Sequence, residues 1–394
     1  MFFLDGIFNP PWWAYILITL VMVQITIASV TLYLHRCQAH RSVALHPLLC
    51  QFFRFWLWLT TGMSTLEWVA IHRKHHAMCE TENDPHSPRV YGIRKVLLQG
   101  AELYSKEAKN EDTLRRYGGG TPDDWLERNV YRGRLSVLGV SLMLIVDFVL
   151  FGAIGVTIWA IQMLWIPLHG AGGINGIGHF WGYRNYETPD DSTNIYPWAF
   201  WVGGEELHNN HHSYPFSARF SLKSWEFDIG WFYIRNLEFL RLAKVKKVAP
   251  QPLIDNGKQV IDMETVRAVI RSRMHVMADY ASKVTRPVWK EELKKAGQMR
   301  RYMLRKTKRA LVLERSRMSA QLRHMLDDVL SDVARIRIVH QYRMQLLEIW
   351  DRTYSGREKR VQALCDWCYR AEQSGIDALR EFACRLRGYT LKPM

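Results

Sequence analysis

Histidine is the residue type around which this sequence gathers its chemistry. His208, His211 and His212 are spaced i, i+3 and i+4, and His72, His75 and His76 repeat the offsets. On a helix such offsets place side chains close together, so that their imidazole nitrogens can converge on a cation. His35, His40 and His179 complete nine histidines in four clusters, out of 15 in the chain. Without a metal, that many ring nitrogens packed side by side would go unsatisfied. Nine ligands also exceed one coordination sphere, so two metals are expected. His35 and His40 stand five apart, a rotation of about 140° on an ideal helix, and are expected to serve different metals or to sit where the helix end loosens. Glu67, Asp84, Glu205 and Glu206 lie close to these boxes in sequence and are candidates to hold the second nitrogen of each ring.

Imidazole ligands suit Fe, Zn, Cu or Ni alike, so ligand type leaves the metal open. The surrounding sequence narrows the choice. Apolar and aromatic segments lead to the boxes, which points to a long apolar substrate. Activating an unfunctionalised C–H bond calls for O₂ and a redox metal, which favours iron over zinc. A hydrolase would want carboxylate ligands or an open zinc, and neither is evident.

The elements that must position these histidines include membrane segments. Trp12 to Leu34 is apolar apart from Gln24 and long enough, at about 34 Å as a helix, to cross a bilayer. No Lys or Arg precedes it, which argues against a signal peptide. Residues 47–69 look like a second span but contain Arg54, and a crossing there would separate His35 and His40 from His72, His75 and His76. The segment is therefore expected to lie at the cytoplasmic face with Arg54 snorkelling. Thr121 reads as an N-cap, followed by Pro122. Leu135 to Gly178 is about twice one span and is expected to form a hairpin turning near 153–158. The expected count is three spans, with the N-terminus outside and the clustered histidines on the cytoplasmic side. Asp147, Gln162 and His169 within the hairpin are expected to make interhelical hydrogen bonds.

Charge divides the chain. Residues 1–240 hold 19 Lys+Arg against 21 Asp+Glu, and residues 241–394 hold 34 against 17. Two domains are expected: a membrane domain over 1–245 and a basic helical extension over 246–394. The extension has apolar stripes at helical period, Met263, Val266, Ile270, Met274, Met277 and Leu322, Met325, Val329, Val333, Ile336. Its cations could attract anionic lipid or an acidic redox protein; no nucleic-acid-binding motif occurs in it, and nucleic acid is not an expected partner. The six cysteines show no disulfide-framework spacing, and Cys365-Asp-Trp-Cys368 lacks the second pair a zinc site needs.

The ordered set His35-Arg-Cys-Gln-Ala-His40, His72-Arg-Lys-His-His76 with Asp84-Pro-His86, Asn175-Gly-Ile-Gly-His179, and His208-Asn-Asn-His-His212 resembles the integral-membrane acyl desaturases of the stearoyl-CoA (delta-9) type. The likeness covers about residues 12–240, and Phe180-Trp-Gly-Tyr-Arg184 and Gly204-Glu-Glu-Leu-His208 share it. The resemblance implies an all-α membrane protein with a cytoplasmic non-haem di-iron site, which uses O₂ and two electrons to place a cis double bond in an acyl-CoA or phospholipid acyl chain. It implies that His35, His40, His72, His75, His76, His179, His208, His211 and His212 are iron ligands and that Asn175 holds a water on the metal; His86 is not carried over as a ligand. A single span before the first box resembles a bacterial subgroup, which implies an inner-membrane location. With no haem, flavin or iron–sulfur motif in the tail, electrons are expected from a separate ferredoxin or flavin reductase system. A hydroxylase or alkane monooxygenase on the same scaffold is the alternative, and a non-catalytic membrane metal-binding protein the third.

Overall fold

The computed structural model describes residues 5–313, 315, 318–351 and 356–390. They form two compact units, one of residues 1–184 and 190–249 and the other of residues 185–189 and 250–394. Both are mostly helical. The expectation of an all-α fold misses three two-stranded ladders, of which β1 (Val43–Leu45) pairs antiparallel with β2 (Ala243–Val245).

In the first unit, α1 (Trp12–Ala28) continues without a break into a π-helical stretch, Ser29–Ala39, that ends at the first box. Its early turns leave Trp12, Trp13, Ile16, Leu17, Leu20 and Val21 exposed, an apolar stripe of the kind that faces lipid. α2 (Pro47–Thr61) and α3 (Thr65–Met78) follow. α2 keeps Phe53, Arg54 and Leu57 inward and Leu48, Phe52 and Phe55 outward, the two-faced pattern of a helix lying in an interface.

Arg54 does not snorkel. Its guanidinium is buried, donates to both carboxylate oxygens of Asp124 at 2.6 and 2.7 Å, and reaches Glu127 at 3.2 Å. A buried guanidinium needs acceptors, and carboxylates about seventy residues downstream supply them. Asp124 also displaces Thr121 as the N-cap, because its side chain accepts from the backbone N–H of Glu127 at 2.9 Å.

The long apolar stretch Ser136–Ile177, with α5 (Ser136–Trp165) at its start, reverses at Gly152, whose φ of 60° and ψ of −139° are open to glycine alone. The turn thus falls just before the expected 153–158 window, where the one residue able to adopt it stands. Trp159 Nε1 donates to Val140 O at 3.0 Å across the two arms, a contact that a straight helix 19 residues apart could never make. Of the three polar residues in the hairpin, Gln162 meets a neighbouring helix, through Met22 Sδ at 3.6 Å. His169 instead donates to Trp165 O one turn back in its own helix, and Asp147 leaves Oδ2 without a partner. Between α3 and α5, α4 (Ile93–Glu107) brings Gly100 so close to Ala171 that a Cβ would meet its carbonyl oxygen at 2.7 Å.

The second unit is a helical bundle that includes α7 (Met263–Arg271) and α8 (Arg273–Tyr280). Tyr280, Trp367 and Phe382 stack edge to face at its centre, joined by Val266, Val329, Val333 and Ile336 from the apolar stripes. Cys368 is buried, its thiol pushed up to about 12 by burial, a core residue rather than a ligand.

Candidate metal centre

The nine histidines come together, but each of the two three-histidine boxes is divided between two groups. His35, His40, His72, His76 and His211 form one group of convergent nitrogens. There His40 Nε2 lies 2.8 Å from His72 Nε2, and His211 Nε2 lies 3.1 Å from His35 Nε2 and 2.9 Å from His76 Nε2. His75, His179 and His212 form the second, joined by His208, whose Nε2 is 3.0 Å from that of His179; His179 Nε2 is 3.2 Å from His75 Nε2. The reason is helical geometry. On α3, His72 and His76 are one turn apart, whereas His75 stands about 100° away from His76 and so serves the neighbouring group. α6 (His208–Ser213) repeats the device, sending His211 one way and His208 and His212 the other.

Of the two expectations for His35 and His40, separate metals or a loosened helix end, the second holds: they join one group. The helix that carries them is π-helical, and His40 N donates to His35 O at 3.0 Å, an i to i+5 bond. One wider turn brings residues five apart back over each other. Their rings lie 4.8 Å apart.

Carboxylates fix the outward nitrogens. Asp84 Oδ1 is 3.0 Å from His75 Nδ1, and Asp190 Oδ2 is 2.8 Å from His212 Nδ1. Glu80 Oε1 lies 3.2 Å from His179 Nδ1. Glu205 approaches both groups at once, Oε1 at 2.5 Å from His35 Nδ1 and Oε2 at 3.7 Å from His208 Nδ1, contacts that fall outside hydrogen-bond alignment. Glu206 does not join them. It accepts from the backbone N–H of Trp201 at 2.6 Å and Val202 at 2.8 Å and shapes the loop, while Glu67 lines the adjoining cavity. Asp190 carries no local signal, lying twenty-two residues from its histidine, whereas Glu80 stands four residues after His76 and nearness to that box could have flagged it, although the histidine it meets is ninety-nine residues away. Cys79, one of the six cysteines without disulfide-framework spacing, brings its Sγ to 3.9 Å from His179 Nδ1.

Burial, then the crowding of neighbouring imidazoles, holds His72, His76, His179 and His211 well below the ordinary histidine range and lowers His208 to about 4. Neutral imidazole is the form a metal takes. His75 is the exception: burial pulls it down, but the charge and hydrogen bond of Asp84 outweigh burial and raise it. Burial works to raise Asp84, and the contacts with His75 overcome it and hold the carboxyl low. Glu80 is pushed up to about 8 by burial and by Asp191. Several buried ring nitrogens, among them His211 Nδ1 and His212 Nε2, have no hydrogen-bond partner. A cluster of neutral nitrogens facing one another at 2.8–3.2 Å suits cations and little else.

A cavity of about 490 Å³ opens from this centre. His35, His72, His75 and His208 stand on its wall, with Trp68, Ile71 and Ile174 leading away from them, and Asn175 and His86 line it too. The volume falls within the range of small-molecule sites.

A family model described as fatty acid desaturase matches residues 10–247, and one described as transposase matches residues 264–391. The chain is similar to Delta-9 acyl-lipid desaturase 2 of Arabidopsis thaliana, at 31% identity over 60% of this chain and 76% of that protein. It is similar to the sn-1 stearoyl-lipid 9-desaturase of Synechocystis, at 33% identity over 58% of this chain and 70% of that protein. An acyl-CoA 5-desaturase of Anemone leveillei is 31% identical over 62% of this chain and 75% of that protein. Plant proteins thus stand beside a Synechocystis one, and a bacterial subgroup is not singled out. With exposed apolar helices, a convergent histidine centre and these relatives, the chain belongs to the fatty acid desaturase family and is a membrane fatty acyl desaturase.

Proposed function

We propose that the first unit places a cis double bond, of delta-9 position, in a long-chain acyl group at a di-iron centre, with a lipid-bound or CoA-bound acyl chain as substrate. The observation that carries this reading is the opening of an apolar cavity onto both histidine groups. His35, His40, His72, His76 and His211 would hold one iron, and His75, His179, His208 and His212 the other, with Asn175 holding a water of the second group. Iron bound there supplies O₂ activation and removal of two hydrogens from the chain.

The protein's own part is positional. Trp68, Ile71 and Ile174 line the route to the metals with apolar surface, which excludes water and sets which carbons pass them. Asp84, Asp190 and Glu80 keep protons on the outward Nδ1 atoms, so that each Nε2 presents its lone pair inward. Electrons come from a separate ferredoxin or flavin reductase. The two arms of the hairpin and α1 with its π-helical end make three crossings in this reading, with the histidines on the cytoplasmic side. A bacterial inner membrane is proposed as the location, supported by the exposed apolar stripe of α1 and by the Synechocystis relative.

Expression in a host lacking unsaturated fatty acids, with mass spectrometry of the lipids, tests the proposal. Cis-9 monoenes are expected, and the lipid class that carries them identifies the substrate. Hydroxylated chains would favour the hydroxylase alternative, and metal binding without O₂ consumption a non-catalytic protein. For the second unit, the match to a transposase model favours nucleic acid as the partner class, which sequence motifs alone did not suggest.

A further inference from the structure

The second unit carries its charge unevenly. Residues 283–309 contain eleven Lys+Arg and two Asp+Glu. They include α9 (Arg286–Lys295) and α10 (Gln298–Thr307). Both acidic residues are engaged from outside the stretch, since Arg335 donates to Glu291 at 2.7 Å and to Glu292 at 3.3 Å. Arg300 is held by Asp332 at 2.6 and 2.9 Å, which ties α10 to α11 (Ala320–Asp332). The remaining cations of α10 and the turn after it, Arg301, Arg305, Lys306, Lys308 and Arg309, are exposed. Tyr302 stands among them, 54% exposed, with Lys306 5.7 Å above its ring.

Two features of this surface decide its partner. Leu304 of α10 is fully buried and Met303 packs against the core, so the helix turns its apolar side inward. A helix that anchors to lipid turns that side outward. The outward face presents five exposed cations beside Tyr302 and one exposed apolar side chain, Met299, a balance that favours regularly spaced phosphates over a lipid interior.

We propose that the α9–α10 face is a nucleic-acid surface, recognising the phosphate backbone of a duplex through Arg301, Arg305 and Lys306. This rests on reading the second unit as a nucleic-acid partner. Binding through phosphates carries no sequence information, so the surface takes duplexes of unrelated sequence with similar affinity.

The test uses the full chain in neutral detergent micelles and a fluorescein-labelled 20-base-pair DNA duplex read by anisotropy. Log affinity is expected to fall linearly with log salt. The variant Arg301→Glu, Arg305→Glu, Lys306→Glu is expected to lose at least about tenfold in affinity and to lower the salt slope by about 2.7, or 0.9 for each of three phosphates. A variant of equal charge change on the first unit, Lys95→Glu, Arg116→Glu, Lys244→Glu, is expected to bind as the parent does. Parent binding that survives the α10 variant would overturn this surface while leaving nucleic acid as the partner. Absence of parent binding would overturn the partner reading itself, and capture by vesicles of anionic phospholipid, lost in the same variant, would reassign the face to lipid. Circular dichroism and gel filtration confirm that each variant is folded.

Discussion

Asp84→Asn separates a positioning carboxylate from a merely acidic neighbour. Asp84 is buried and makes three contacts: His75 Nδ1 at 3.0 Å, the backbone N–H of His86 at 3.1 Å, and the backbone N–H of Glu80 at 2.7 Å. Asparagine keeps one acceptor oxygen and turns an NH₂ toward a group that donates, so the turn from Glu80 to His86 loses a bond as well as a charge. A hydrogen bond to a charged group is worth about 1.5–3 kcal/mol, which as affinity is a factor of roughly 10 to 150. Outer partners of metal-bound histidines in general cost about 10- to 100-fold when changed. The two routes agree, and iron affinity is expected to fall by about that factor. Iron per chain, measured after equilibration with graded chelator, reads it directly. An affinity within about twofold of the parent, in a variant that elutes normally on gel filtration, would refute the positioning role.

Arg54→Ala leaves Glu127 as an unpaired buried carboxylate, at a cost of about 3–5 kcal/mol. The thermal midpoint should drop by roughly 10 °C, and Arg54→Met with Glu127→Leu should recover most of it; a single variant as stable as the parent would contradict the buried pairing. His340 in the second unit is lowered from 6.5 to about 4 by burial and then by Arg343. As pH falls below 6.5 the unfolded chain takes its proton first, so this contribution is full above 6.5 and is lost toward pH 4, roughly 3 kcal/mol in all. The protection factors of α12 (Ala334–Asp351), which divide out the intrinsic pH dependence of amide exchange, should therefore fall as pH drops across that window and do so less in His340→Gln; identical profiles would exclude the effect. A chain ending after Ala249 is expected to keep its iron, because all nine histidines belong to the first unit; a metal-free product would show that the units depend on each other.

Much of the centre was legible because histidine spacing maps onto helix faces. The two H-x-x-H-H boxes announced convergence, and Asp84 and Glu205 stood near enough in sequence to be suspected. The division of the two three-histidine boxes was harder to see, since offsets of three and four residues differ by one position and the sequence alone does not say where the boundary between the two groups runs. The π-helical end of α1 was hidden inside an apolar run that reads equally well as α-helix. The partners of Arg54, His179 and His212 come from residues brought close by tertiary folding, and no local pattern marks them. The hairpin was visible as a doubled length, but its turn at Gly152 falls outside the expected window, since Gly152 and Gly155 stand close together and length does not choose between them.

The division of the boxes reaches beyond geometry. α3 sends His72 and His76 to one group and His75 to the other, and α6 likewise serves both. In the proposed two-metal centre, the cation that arrives first would therefore immobilise the scaffold that the second uses. The ordering entropy is spent once for two binding events, so loading is expected to be cooperative and singly occupied molecules scarce at any iron supply.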